Sequence, residues 1–578
     1  MIPLEDFMCQ TVAHNHTHHH THTACRLPQK EQLKKAPETA YRVETVRDAQ
    51  GNEEILSVKS TGQTLTKDEV LLQSTPYSID CNEGASQETY VERYVSESAL
   101  TEAQQEKYSE ELFKSKPEWA GSEVRTIVNQ GPSENRIDLT IVGDGYTEEQ
   151  KKRFFEDAKR LTDDMFVGQT FASYLPLFNV HAVFVPSKES GLTDMERKDT
   201  ALGLYRSPRG SKRGVMPGNR RAIERAIDLA PDTDYPILVA NDDFYGGLGG
   251  RYAITTRSHN SGTMVLRHEL GHNFGNVGEE YDGGQVYSGA NHSSSRSLPW
   301  QHWIDGEGKV HEAKALATGY PWENLSKGPI ELDFKVPEGD ENGPMQVGID
   351  VSSVGWEGEQ DVEILIDGKP QKYEGVYTED RSFFRLKDAQ SLPAGNHKLT
   401  IREKNPDGDN VVAAVRINAY PADYDFTPDK IGGYPTFNYQ GRHVGYRPTH
   451  ESCLMRNMRS TDFCSVDQEN MWHKFLNRVD LIDGVEMKPI KGRDGDDNHI
   501  ISVETPDLEG LDIRWYADET QQDGSVKEVE LEHLRGAKQW LADDGDDAGN
   551  YRVEVRFATD EVRKYSDRFR TSEDFSLA

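Results

Sequence analysis

This sequence is poor in cysteine, in long apolar runs and in positive charge. Five cysteines in 578 residues (Cys9, Cys25, Cys81, Cys453 and Cys464) are too few for a disulfide scaffold. No CxxC pair marks a structural zinc knuckle. Cys453 and Cys464 stand close enough in sequence to bridge in an oxidising compartment, with two free buried thiols as the equal alternative. No run of about 18 apolar residues occurs, so no membrane span is expected. The opening "MIPLEDFMCQ" has neither a basic nor an apolar segment, and no secretory signal is visible. With 66 basic against 99 acidic residues, the formal charge is −33. A chain so acidic repels nucleic acid and anionic membranes, so neither is expected as a partner.

The length suggests about three to five domains. Residues 1–35 include six histidines in the nine positions from His14 to His22 and cannot build a core. They read as a disordered tail with weak metal affinity. Residues 36–124 alternate polar and apolar positions over short runs, the pattern of a β-rich domain, closing with a helical "LTEAQQEKYSEELFKSK". From 125 to 328 the pattern changes. "IDLTIVGDGYT", "FNVHAVFVPS" and "YPILVAND" are apolar strands separated by the helical "EEQKKRFFEDAKRLTDDMF" and "NRRAIERAIDLA", which argues for an α/β unit. Residues 329–420 and 489–578 return to short alternating strands and read as β-sandwiches, the first of them inserted. Between the two, residues 421–488 hold "HESCLMRNMRSTDFCSVDQENMWHKFL", which is not sandwich-like and reads as the return of the α/β unit. The expected fold class is thus multidomain α+β.

The chemistry lies in "LRHELGHNFGNVGEEYDGG", residues 266–284. His268 and His272 are four apart, on one face of a helix, and both imidazoles can reach one cation at about 2.0–2.1 Å. Glu269 beside them is placed as a general base and not as a ligand. The cofactor this pattern points to is Zn2+. Met264, Leu266, Leu270 and Phe274 surround the motif as in a partly buried helix, and Gly275 allows a turn beyond it. Asp144, between a strand and a helix, reads as a helix cap. "GGLGG" at 246–250 lacks the ending of a phosphate loop and reads as a lip of the cleft, while the following "RYAITT" could pair with an extended peptide.

"HELGHNFGNVGEEYDGG" closely resembles the signature of the IgA-peptidase family of zinc metallopeptidases. "IDLTIVGDGYTEEQ", "NVHAVFVPSKESG", "GGLGGRYAITT" and "HESCLMR" resemble it too, in the same order. The resemblance covers roughly residues 125–325 and 421–485. It implies a metzincin-like catalytic domain in two parts, secretion or display at the cell surface, and a protein or peptide substrate. By the same likeness Met455 in "CLMRNM" corresponds to the methionine turn beneath the metal. Tyr446 is a candidate phenol donor to the oxyanion. Where the family usually shows Asp-Glu-Tyr, this chain has Glu279, Glu280 and Tyr281.

Two histidines leave zinc short of the three protein ligands usual in catalytic sites. On a straight helix, residues seven or more past His272 have climbed at least about 10 Å, so the chain must turn back, as Gly275 and Gly278 allow. In the compact metzincin pattern the ligand falls at Gly278, which has no side chain to offer. Glu279 is next and occupies the family's Asp position. Glu280 is the alternative ligand and Asp282 a weaker one; another segment could also supply it. The expected function is a zinc-dependent endopeptidase, its sandwiches serving to dock glycan or protein. The alternatives are an inactive surface or matrix binding protein on the same fold, and a zinc amidase acting on glycopeptide or cell-wall material.

Overall fold

The computed structural model describes the backbone of four strands between residues 38 and 96. It also describes residues 119–577 apart from 195, 207–213, 285, 306–309, 320, 406–407, 492–496 and 543–548. The histidine-rich segment, Cys9, Cys25, Cys81 and the expected helix near residue 100 lie outside the described residues. Glu38–Arg47 and Glu53–Leu65 pair antiparallel, and Thr89–Ser96 joins the other side of Glu38–Arg47. Thr75–Pro76 completes this sheet of four strands.

The site is carried by a six-stranded sheet. Ile137–Asp144 runs parallel to Phe178–Phe184 on one side and to Tyr235–Ala240 on the other, and Ala253–Thr256 extends the parallel set. Glu123–Val128 and Gly247–Leu248 close the two edges antiparallel. Ile137–Asp144 and Phe178–Phe184 are buried at every position, as expected of parallel strands covered on both faces. Ile141 and Ile237 face one core, with Phe154, Leu266, Leu270 and Phe274. Val142 and Leu238 face the other, with Ile223 and Ala226 of the helix Arg220–Ile227.

Two expectations change here. Asp144 caps no helix. It is buried, and it accepts the backbone N–H of Leu202 and Leu204 at 2.8 Å, pinning the loop beside the sheet. Thr147 and Gln150 form the capping box instead. "RYAITT" offers no free edge either, because Ala253–Thr256 is paired on both sides.

The inserted sandwich begins earlier than its period-two pattern suggested. Lys314–Gly319 already pairs with Val411–Tyr420, and Leu316 packs on a separate core built around Val347, Trp356, Phe384 and Ile417. The chain returns through the hairpin of Tyr434–Phe437 and His443–Arg447 and the helix Ser465–Phe475. Phe475 meets Phe178 and Phe274 at ring distances of 5.2 and 5.4 Å, welding the return segment to the main core. The C-terminal strands, from Gly484–Lys491 to Arg570–Leu577, form a second sandwich whose Phe557 packs on Trp472. No helix among the described residues is long and apolar enough to cross a membrane.

Candidate metal centre

The helix Gly262–Gly275 carries the histidine pair, with Val265, Leu266, Leu270 and Phe274 buried around it. It ends where Asn276 adopts the left-handed conformation, φ 50°, and returns its N–H to the carbonyl of His272 at 2.9 Å. The reversal therefore falls to Asn276 and not to Gly275, which is still helical. Gly278 serves by its size. An added Cβ would lie 2.5 Å from the backbone nitrogen of Ser288. Without one, Gly278 and Glu279 donate to the carbonyls of Ser288 and Val286, a short ladder that brings the chain back over the helix.

Three donors then converge. The rings of His268 and His272 stand 4.8 Å apart. The Nδ1 of His268 faces the carbonyl of Leu454 at 3.3 Å, and that of His272 faces the carbonyl of Val277 at 2.7 Å. With Nδ1–H donated to a carbonyl, each Nε2 keeps its lone pair for a metal. Those nitrogens lie 3.2 and 3.4 Å from the two carboxylate oxygens of Glu279. Ligands bound tetrahedrally at about 2.0–2.2 Å stand about 3.3 Å apart, so the spacing suits a zinc-sized ion.

The electrostatics ask for the same thing. Burial pulls the His272 imidazolium down, but the carboxylate of Glu279 outweighs it and pushes the group up to about 9. Burial pushes the Glu279 carboxyl up, but the two imidazoles hold it well below the usual carboxylate range. Glu279 Oε2 is buried without a hydrogen-bond donor. The pocket thus calls for positive charge between these three side chains, and they fit a divalent cation.

The acidic run is divided among three tasks. Glu279 meets the histidines. Glu280 turns into a separate buried pocket, its N–H on the carbonyl of Met455 and its Oε1 accepting from Asn291. Asp282 pairs with Arg456 at 3.0 Å and accepts the N–H of Phe437. Asn291, one of three N-x-S/T sequons in the chain, is 1% exposed and engaged here, which removes it as a glycan acceptor.

Glu269 is half-buried on the same helix. Its Oε2 lies where a Cβ on Gly249 would come within 2.3 Å. Within the glycine-rich stretch Gly247–Leu248 is an edge strand, and Gly249 just after it backs the carboxylate. Met455 is fully buried, and a Cβ on Gly271 would lie 2.9 Å from its sulfur, so it floors the helix between the ligands' turns. Tyr446 is 7% exposed; its backbone pairs with Ser293 and its ring meets His443. Among the described contacts none joins it to His268, Glu269, His272 or Glu279.

Sequence reasoning missed Tyr281, whose hydroxyl donates to Glu279 Oε1 at 3.0 Å and whose ring lies 6.2 Å from that of His268. The signal was present. In an extended segment, residues two apart share a side. It also missed Leu454 and Val277, which act through backbone carbonyls that any residue offers.

Two imidazoles and a carboxylate on a buried helix-and-turn frame could hold a metal ion of the kind hydrolases use. Residues 126–318 match the model of the IgA Peptidase M64 family. The match holds all three donors and Glu269 but not the return segment with Met455. No curated protein sequence matches the chain. Two solved structures show slight similarity. An FMN-binding β-glucuronidase from Facaelibacterium prausnitzii L2-6 is 13% identical, with 47% of this chain and 34% of that one covered and a TM-score of 0.12. A bacterial orthologue of human α-L-iduronidase is 10% identical, with 45% and 33% covered and a TM-score of 0.11. The chain thus spans about a third of either, and likeness this weak carries no inference.

Proposed function

We propose that the chain is a zinc-dependent endopeptidase acting on protein or glycoprotein substrates. His268, His272 and Glu279 are the ligands and Glu269 is the general base. One observation carries this reading: the two Nε2 atoms and the Glu279 carboxylate converge at 3.2–3.4 Å, while Glu269, on the same helix, stays outside that set. Zinc, when bound, would supply Lewis-acid polarisation of the scissile carbonyl and of water. Glu269 accepts a proton from the attacking water and returns it to the leaving amine nitrogen. Gly249 keeps the space in which that carboxylate stands. The carbonyls of Leu454 and Val277 fix the imidazoles, Tyr281 steadies Glu279, and Met455 provides the dry floor of a methionine turn. No role falls to Tyr446 in this scheme.

The test is metal analysis together with cleavage of a mixed peptide library, with and without chelator. Glu269→Gln should keep its metal and lose turnover by about 10²–10⁴-fold. A variant with near wild-type turnover would remove Glu269 from the role.

A further inference from the structure

Beside the histidine site a second group of donors is closed off from solvent. Glu280, Cys453, Cys464 and Asp467 are all buried, and one donor atom from each lies within 4.8 Å of the other three. Both thiols point at a single oxygen. Cys453 Sγ is 3.0 Å and Cys464 Sγ 3.6 Å from Asp467 Oδ2. Asp467 Oδ1 and Glu280 Oε2 are buried without an N–H, hydroxyl or thiol donor, and the two carboxyls stand against each other. Such orphans are rare in folded proteins, and a buried carboxylate without compensation is costly. The nearby guanidiniums are committed elsewhere. Arg456 pairs with Asp282 and Glu451, and Arg447 donates to the carbonyls of Pro435 and His450. The pocket holds four groups that can each give up a proton; Arg447 and His272 act on it only through space, and among the described contacts no cation pairs with any of the four.

We propose that Cys453, Cys464, Asp467 and Glu280 hold a second divalent cation of the zinc class in a closed, structural site. Two thiolates favour zinc over the hard cations that carboxylates alone would take. With Zn–S at about 2.3 Å and Zn–O at about 2.0–2.2 Å, sulfur and oxygen ligands stand about 3.5 Å apart, close to the observed spacings. Four protein ligands leave no open position, as in structural sites. The ligands come from three segments. Glu280 follows Glu279, Cys453 precedes the turn of Leu454 and Met455, and Cys464 and Asp467 open the helix Ser465–Phe475. A metal here pins the segment that carries Glu279 to the turn whose Leu454 carbonyl orients His268. The proposal is independent of the peptidase reading, because it uses none of the same donors.

The experiment is cobalt substitution of the full-length reduced protein, read in the near ultraviolet. A thiolate-to-cobalt charge-transfer band is expected. Cys9, Cys25 and Cys81 are replaced by serine in every protein compared, and the histidine site has no sulfur, so the band reports this site alone, whatever the state of the other. Zinc analysis should show one equivalent more than the histidine site binds. Glu269→Gln should keep both the band and the extra equivalent. The Cys453→Ser, Cys464→Ser double variant should lose both. Should that variant not fold, the wild-type band still decides. A folded, cobalt-loaded wild type without the band overturns the proposal. So does an intact mass showing that Cys453 and Cys464 are joined as a disulfide in protein purified without reductant and still active.

Discussion

Ser261, the residue before the histidine-bearing helix, donates its hydroxyl to Asp380 of the inserted sandwich at 2.6 Å. Ser258 donates to the same oxygen at 2.5 Å, and the N–H of Tyr245 reaches the other at 2.8 Å. Asp380 is 3% exposed. A carboxylate at this end of the helix also meets the positive pole of its dipole. Among its described residues the insertion brings no donor to the histidine pair, yet Asp380 fixes where the histidine helix begins. From a second side, Asn418 of the insertion donates to Asp282 at 3.1 Å.

Asp380→Ala should accordingly destabilise the protein by about 3 kcal/mol, since it strands three buried donors at once. Thermal unfolding measures this. Replacing residues 314–420 by a short linker should lower stability at least as much, and should weaken zinc binding although no proposed ligand is removed. A linker variant with wild-type melting and zinc content would show that the insertion is only an appendage.

The helix and its histidines were legible because local periodicity and a four-residue spacing are properties of the sequence itself. That Glu279 comes back beside the two histidines was legible from the required turn and the family's Asp position, while its part as a ligand belongs to the proposal. The contacts that position them were not. Leu454 O, Met455 O and Asp380 lie more than a hundred residues away in the chain, and an acid such as Asp380 in a sandwich looks like any surface residue until the domains meet. The left-handed turn was placed at a glycine because glycine adopts it at least cost, whereas the chain uses Asn276, the next most tolerant residue.

The acidic run gives the second prediction. Glu279→Gln should weaken the metal that activity requires by at least tenfold, measured by competition with a chromophoric chelator. Asp282→Asn should leave that affinity near wild type and instead lower stability by about 3 kcal/mol, because Arg456 is left buried with a weakened partner. If Glu280→Gln, and not Glu279→Gln, abolishes hydrolysis through metal loss, the third ligand is misassigned by one residue.

Gly249 gives the third. A Cβ there would sit 2.3 Å from Glu269 Oε2. The atom it meets is the end of a flexible side chain, so the fold can yield where the chemistry cannot. Gly249→Ala should keep metal content and melting temperature while turnover falls on the order of 10²-fold, the usual effect of displacing a reacting group by about 1 Å. Unchanged turnover would mean that the carboxylate works from another position.

The last prediction concerns pH and lies outside the metal centre. His450 is 3% exposed, walled by the rings of Tyr420, Tyr424, Phe426 and Tyr434, with Nδ1 on the hydroxyl of Tyr424 at 3.0 Å. Burial pushes its pKa down to about 3; Glu451 opposes the shift, and Arg447, Arg456 and Arg385 add to it. The unfolded chain takes up the proton near pH 6.5. Between these two values the unfolded state holds one proton more than the folded state, so stability falls as pH drops below about 6.5. The loss from this residue should be about 2 kcal/mol by pH 5. His450→Gln keeps a polar partner for Tyr424 and cannot titrate. Denaturant unfolding of both proteins at pH 7 and pH 5 should show the wild type losing about 2 kcal/mol more than the variant over that interval. Equal losses would mean that His450 takes up its proton in the folded state as readily as in the unfolded one.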